Sequence, residues 1–389
     1  MLTLIRSRAW AALTSLKLAI ACLAMLMVLV VACTLAQLRL GTVGAVNAYI
    51  RSFLVWGEVP GTRWSIPVAP GGGLVGAVLM VNLAAAQVKR LELSWRKAGL
   101  WIIHAGLIVL FVGEFVTSIF QVDMQLAIEE GQTLDYVESP REMELSLVDA
   151  TDAEHDDAYG IAESRLARGG SIEVTGTPLV LRVKQFFHNA NLTRSDGNTG
   201  PEVATAGIGT GVAAIELPPV SNDDEKNVRA VWVEPIAGGR SYGTWLVSNA
   251  LGAPQSFIHE GHTWKLSMRP RRRYLPYALT LKKFSHDIYA GTDIPKNFSS
   301  LVHISNPARG EERDVLIFMN QPLRYEGRTF YQASFGKGDT LSVLQVVENP
   351  GWLLPYLSCV LVAAGLILHF AMRLRLSVNR RTVLAGALT

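Results

Sequence analysis

The chain has 389 residues, 49% of them hydrophobic and 18% charged, with a formal net charge of +3. Over 121–350 there are 22 Lys and Arg against 30 Asp and Glu, a net −8, while the rest of the chain carries 14 against 3, a net +11. Basic residues that flank apolar stretches indicate membrane topology, and with no basic cluster interleaved with aromatics they exclude a nucleic-acid surface.

A helix needs about 20 mostly apolar residues to cross hydrocarbon. Leu18–Leu38 meets that without a charge. Residues 66–88 form a weaker candidate, because Pro70 and Gly71–Gly73 interrupt its start and the helical reading begins at Leu74. Ala98–Phe120 contains His104 and Glu114, and Trp352–Met372 has Pro355 near its start, where proline is tolerated. Arg6, Arg8 and Lys17 precede the first stretch; Lys89, Arg90, Arg96 and Lys97 separate the second and third; Arg373, Arg375, Arg380 and Arg381 follow the fourth. The positive-inside rule then puts both termini in the cytoplasm and segments 39–65 and 121–350 outside. Between the first two stretches, Asn47–Gly57 carries Tyr49, Phe53, Leu54 and Trp56, which predicts a short helix at the outer interface.

The expected fold is therefore four transmembrane helices, at about 18–38, 66–88, 98–120 and 352–372, with a large outer domain. The domains run 1–120, 121–350 and 351–389, the last ending in a basic cytoplasmic tail. Alternation at Met143/Leu145/Leu147, Leu179/Leu181/Val183, Trp264/Leu266/Met268, Val315/Ile317/Met319 and Leu341/Val343 makes the outer domain β-rich, a sandwich or distorted barrel. Glu326-Gly327 predicts a hairpin turn. Asp149–Gly170 and Asn189–Gly211 read as loops or insertions. All three cysteines, Cys22, Cys33 and Cys359, fall in the apolar stretches, so the outer domain uses neither disulfides nor thiol exchange. Val30-Val31-Ala32-Cys33 resembles a lipoprotein cleavage site, a reading outweighed by the apolar run continuing past Cys33.

An ionisable group at membrane depth is costly and marks a site by default, which singles out His104. It lies seven residues into its helix, about 10 Å at 1.5 Å per residue. A neutral imidazole there can ligate haem iron or a metal, relay a proton, or hydrogen-bond between helices, and the residues alone leave these open. His369 reads as an interface histidine, Glu114 as structural and Asn82 as an interhelical hydrogen-bonder. His259-Glu260-Gly261-His262 lacks the spacing of a helical metal motif and reads as a solvated loop. Arg269 and Arg271–Arg273 have the chemistry to clasp carboxylates, though a charge run is ordinarily a solvated edge. No catalytic constellation and no metal site emerges.

Residues 289–335 are familiar. Tyr289-Ala290-Gly291-Thr292, Pro295-Lys296-Asn297-Phe298-Ser299-Ser300, Met319-Asn320-Gln321-Pro322-Leu323, Tyr325-Glu326-Gly327 and Phe330-Tyr331-Gln332-Ala333-Ser334-Phe335 occur in order, with Asn349-Pro350-Gly351 leading into the last helix. Ser15-Leu16-Lys17-Leu18-Ala19 and Asn82-Leu83 ahead of Lys89-Arg90-Leu91 fit the same pattern. The chain resembles the ResB-like family, accessory membrane subunits of system II cytochrome c biogenesis. The resemblance implies a bacterial-type inner membrane protein that works with a ResC-type membrane subunit to carry haem outward and attach it to apocytochrome c. It implies His104 as an axial ligand to a transient haem b, with the opposite ligand from the partner. The tryptophan-rich haem motif and the outer histidine pair belong to that partner, so this chain is expected to be a separate, non-catalytic subunit rather than the fused form. A scaffold that binds no haem, and a membrane redox or proton-transport protein using Glu114 and His104, are the rival expectations.

Overall fold

The structure is a computed structural model that describes residues 10–59, 61–62, 64–90, 95–152, 155–195, 204–220, 227–289, 291 and 295–386. Arg6, Arg8, Leu91, Ala290 and Thr292 of the sequence reading lie outside the described residues. The chain divides into a helical unit and a β unit, the second covering Val122–Val220 and Glu225–Glu348.

Among the described residues, the helical unit contains four helices long and apolar enough to cross a membrane. The first, α1, runs Leu16–Ala45, with Ser15 as its N-cap accepting from the Lys17 N–H. It breaks at Gly41, whose φ of 66° and ψ of 170° suit only glycine. One π-helical turn, Val46–Ile50, follows, then a hairpin of β1 (Leu54–Glu58) and β2 (Ser65–Pro70). Helix α2 spans Gly72–Arg90, and α3 spans Ala98–Phe120 after a 3₁₀ turn at Trp95–Lys97. The last, α4, spans Leu354–Gly386.

Three expectations change here. The second apolar stretch does not begin at Ile66, because Ile66–Pro70 is strand β2 and the helix starts at Gly72. Pro67 and Pro70 cannot donate to a helical ladder, and Ile66 and Val68 favour extended backbone. Gly71–Gly73 are there for contact: a Cβ on Gly72 would stand 2.5 Å from the Ile50 carbonyl, and one on Gly71 would overlap the Ser52 carbonyl. Likewise Asn47–Gly57 is helical only to Ile50, after which Leu54–Gly57 is strand. The fourth helix passes Met372 and continues through the basic segment to Gly386.

The β unit holds a ten-stranded sheet built on two long strands, β4 (Thr133–Asp149) and β14 (His262–Ile288). Beside β4 lies β3 (Val122–Glu129), then β19 (Leu341–Glu348), β18 (Arg328–Gly336) and β17 (Leu323–Tyr325). Beside β14 lie β15 (Pro295–Asn306) and β16 (Glu311–Phe318). A bridge from Phe318 to Gln321 brings the β16 end of the sheet to the β17 end, so the sheet is barrel-like and nearly closed. A smaller sheet contains β6 (Gly170–Glu173), β7 (Leu179–Phe187), β10 (Ala230–Ala237), β11 (Arg240–Ser241) and β12 (Trp245–Ser248).

Register shifts between Pro270 and Arg272 and between Tyr274 and Leu279 divide β14 between two cores. Trp264, Leu266 and Met268 pack with Leu145, Leu181 and Val233. Leu275, Leu279 and Leu281 pack with Leu126, Phe330 and Leu344. The Glu326-Gly327 turn is as expected, with φ of 48° and 74° joining β17 to β18. Asp149–Gly170, expected as a loop, holds β5 (Asp157–Ala162) paired with β4 and a helical turn at Glu163–Leu166. Within Asn189–Gly211, Ala190–Arg194 forms β8, paired with β9 (Val212–Glu216). In β19 the buried face is Ser342, Leu344 and Val346, not Leu341 and Val343, and Met319 lies past β16 and is exposed.

Candidate ligand site at His104

Glycines on α3 fix which way His104 faces. A Cβ on Gly99 would stand 2.6 Å from the His369 nitrogen, on Gly106 2.8 Å from Val362, and on Gly113 2.8 Å from Leu354. On α4, Gly365 would meet Ile103 at 2.8 Å, and Ser358 Oγ donates to the Gly106 carbonyl at 2.8 Å. This seam lets two backbones approach closely, the means by which helices pack where lipid removes the hydrophobic drive. At 3.6 residues per turn, His104 lies about 200° round the helix from Gly106. It therefore faces away from α4, toward α1 and α2.

On that side lies a cavity of about 370 Å³, lined by His104. Leu16, Ala19, Leu83, Ala86 and Leu100 form its apolar wall, and Thr14, Asn82, Gln87 and Lys97 its polar part. A mostly apolar pocket with a few convergent polar groups is the usual form of a small-molecule site. His104 is half-buried, with Nδ1 2.8 Å from the Leu100 carbonyl. A carbonyl only accepts, so Nδ1 carries a proton, and in the neutral ring the lone pair is then on Nε2. Among the described residues nothing hydrogen-bonds Nε2. A ligand nitrogen oriented through its other ring atom is the arrangement metal-binding histidines use.

The other polar groups differ in how far they are engaged. Asn82 donates to the Leu13 and Ser15 carbonyls, at 2.5 and 3.1 Å, and ties α2 to the start of α1 as an interhelical hydrogen-bonder. Lys89 Nζ donates to Thr14 Oγ1 at 2.9 Å, and Thr14 donates on to the Trp10 carbonyl. Gln87 is 5% exposed and its Oε1 has no partner. The sequence reading passed over Gln87 and the Gly99/Gly106/Gly113 seam, although the seven-residue spacing of those glycines was visible.

The remaining candidates do not join this site. Glu114 is exposed on α3, ten residues and about 15 Å along the axis from His104. His369 stands against Gly99, about 140° round α3 from His104, and its Nδ1 is buried without a partner. In the β unit, His259 and His262 flank a two-residue turn and look to different partners. Tyr242 Oη lies 2.6 Å from His259 Nδ1, and Asp149 lies 2.7 Å from His262 Nδ1. Arg269, Arg271, Arg272 and Arg273 pair with Glu144, Glu142, Glu138 and Glu348 at 2.7–2.9 Å, so no clasp is left open. Burial opposes the charge of Arg272, but its bond to Glu138 and the neighbouring Tyr136 hold its pKa above the ordinary value. Among the described residues no group of three or more His, Cys, Asp or Glu is placed to hold a metal. Cys22 and Cys33 are buried in α1, Cys359 is exposed on α4, and all three are free thiols.

Residues 242–343 match the ResB-like family. That segment contains the signature read at 289–335. Over 102 residues the chain is 31% identical to Protein NrfI of Wolinella succinogenes, a stretch that is 26% of this chain and 11% of NrfI. The chain thus spans a small fraction of the length of the relative it matches.

Proposed function

For this ResB-like chain we propose a role in cytochrome c biogenesis, as a membrane subunit that handles haem on its way to apocytochrome c. The proposal places α1–α4 across a bacterial plasma membrane, with the ends rich in Lys and Arg on the cytoplasmic side and the β unit outside. The partner is a ResC-type membrane subunit and the cargo is haem b.

The observation that carries this reading is His104 Nε2, an unpartnered lone pair on the wall of a largely apolar cavity. A neutral, pre-oriented imidazole matches an axial haem ligand, and apolar walls suit the macrocycle. Haem brings the iron and the ring carbons that end in covalent attachment; this chain's part is to hold and orient. Leu100 fixes the His104 ring, Asn82 holds α1 against α2, and the Gly99–Gly113 seam fixes the rotation of α3. His369, the other histidine of the helical unit, is on the far side of α3 and would not reach an iron held by His104, so a second protein ligand would have to be supplied by the partner. Arg269 and Arg271–Arg273 are paired with carboxylates, so the β unit is given the role of a platform for assembly or for apocytochrome. The 15 Å between His104 and Glu114 argues against a direct proton relay between them.

The test is the reduced-minus-oxidised absorption spectrum of the chain co-purified with its membrane partner, for wild type and His104→Ala. A bis-histidine spectrum lost in the variant, with the complex still assembled, supports the proposal. An unchanged spectrum moves haem onto the partner and leaves this chain as scaffold.

A further inference from the structure

Arg39 stands 23 residues after Leu16 on α1, about 35 Å along the axis, against a hydrocarbon core of about 30 Å. With Leu16 at one face of the core, Arg39 emerges at the other. The chain then turns at Gly41. Tyr49 follows Arg39 by ten residues, about 15 Å on an unbroken helix, but the turn brings both to one open groove of about 490 Å³. Ala32, Leu35, Ala36 and Leu38 form the rest of its wall. Arg39 is exposed, and among the described residues neither its guanidinium nor the Tyr49 hydroxyl has a hydrogen-bond or ion-pair partner. The hairpin that follows gives the same depth independently. Val55 seats one face of it against Leu29, Val75 and Leu79, while Phe53, Trp56, Trp64, Ile66 and Val68 are exposed. Strands β1 and β2 pair only with each other, so each keeps an unpaired edge that hydrocarbon does not tolerate. Such edges need water and the exposed apolar side chains need lipid. The headgroup layer supplies both, and tryptophan concentrates there.

We propose that Arg39 and Tyr49 hold the phosphate of a phospholipid in the outer leaflet, with an acyl chain lying along Ala32, Leu35 and Ala36. The guanidinium offers the phosphate paired N–H donors, and the phenol adds an O–H. The exposed face of the β1–β2 hairpin lies in the same headgroup layer. The bound lipid fixes the depth of α1, whose first residues line the His104 cavity. This rests on the membrane placement proposed above and not on the haem reading.

The test titrates the full chain in detergent with dioleoylphosphatidylglycerol and with dioleoylglycerol, and counts bound lipid by native mass spectrometry. The second lipid keeps the acyl chains but lacks the phosphate. Wild type is expected to hold the phospholipid about tenfold more tightly, the size of one charge-assisted hydrogen bond. In Arg39→Gln that ratio falls toward one, and in Tyr49→Phe it falls in part. Arg373→Gln, among the basic residues of the opposite side, keeps it. An undiminished ratio in Arg39→Gln overturns the site, and an equal fall in Arg373→Gln overturns it in favour of general charge attraction. Displacement of the lipid by excess inorganic phosphate overturns the lipid as occupant. Placement is read separately: in spheroplasts, Ser65→Cys on the exposed hairpin should react with a membrane-impermeant maleimide. Reaction only after permeabilisation overturns the outer placement together with the topology proposed above, whereas normal labelling with a failed titration overturns the lipid site alone.

Discussion

The β unit and the helical unit differ in how they treat their histidines and charged groups, although buried polar atoms without a partner occur in both, Ser146 Oγ, Asn306 Oδ1 and His286 Nε2 among those of the β unit. Six of the eight histidines belong to the β unit, and each has an acidic or phenolic partner: Asp152, Glu163, Tyr242, Asp149, Asp339, and Asp314 with Glu312. The arginines along β14 are paired across strands in the same manner. The helical unit leaves its polar groups open where openness is most costly: His104 Nε2, Gln87 Oε1 and His369 Nδ1 lack partners, and Glu114 is exposed on an apolar helix. An ionisable group in apolar surroundings marks a site by default, which is why His104, and not a paired histidine of the β unit, carries the proposal.

Two substitutions sharpen that contrast. Leu266 is fully buried in the first core of the β unit, and Leu266→Ala should cost about 2–5 kcal/mol of stability there, seen as a lower melting temperature. On the proposed haem reading, the absorption spectrum of the surviving folded protein should not change; a shifted spectrum would overturn the independence of the helical site from the β unit. Gly106→Ala acts in the other unit. The added Cβ meets Val362 at 2.8 Å and the Ser358 carbonyl at 3.1 Å, an overpacking worth about 1–3 kcal/mol. It should lower the melting temperature in detergent and broaden the haem spectrum, because the rotation of α3 aims His104. A normal spectrum from a destabilised Gly106→Ala would separate the seam from the site.

How much could be read beforehand follows the same division. Helix α3 was legible end to end, because 23 residues without a strong breaker lie between Lys97 and Gln121. Strand β7 and the start of β14 were legible because one face of each is buried and the other is not, and β4 because Met143, Leu145 and Leu147 alternate with polar residues even though Glu144 and Ser146 are buried as well. Strand β5 was missed because Asp157–Ala162 is short, glycine-containing and without a period-two pattern, and becomes a strand by pairing with β4. Strand β2 was merged into the second apolar stretch because hydropathy does not distinguish an apolar hairpin from the first turn of a helix. Gln87 could not be singled out at all, since an amide two residues from a lysine reads as solvated. Its burial is a product of α1, α2 and α3 meeting, which no local pattern encodes.

The smallest expected effect tests the claim that the β unit is self-contained in its charges. His303 on β15 sits between two carboxylates of β16, 2.6 Å from Asp314 and 2.7 Å from Glu312. Lys282 pairs with Asp314 at 2.8 Å, and Ser305 donates to Glu312 at 2.7 Å. The bond to Asp314, with that to Glu312, raises the pKa of His303 above 6.5. The Lys282 bond lowers Asp314 below 3.8, and the Ser305 bond lowers Glu312 below 4.5. A histidine with a raised folded pKa contributes fully below its unfolded value and loses that contribution as pH climbs through the folded one. Carboxylates with lowered values contribute above their unfolded values and lose it as pH falls through the folded ones. The network should therefore be strongest between about pH 4.5 and 6.5 and weaken on both sides. In His303→Gln, the decline in melting temperature above pH 6.5 should be shallower than in wild type. Because the groups are exposed, the difference should be small and should fade at 1 M salt, where the screening length is about 3 Å. A pH profile that does not change on substitution would mean that these pairs are as weakly coupled as ordinary surface charges, and that the β unit owes its order to its two cores alone.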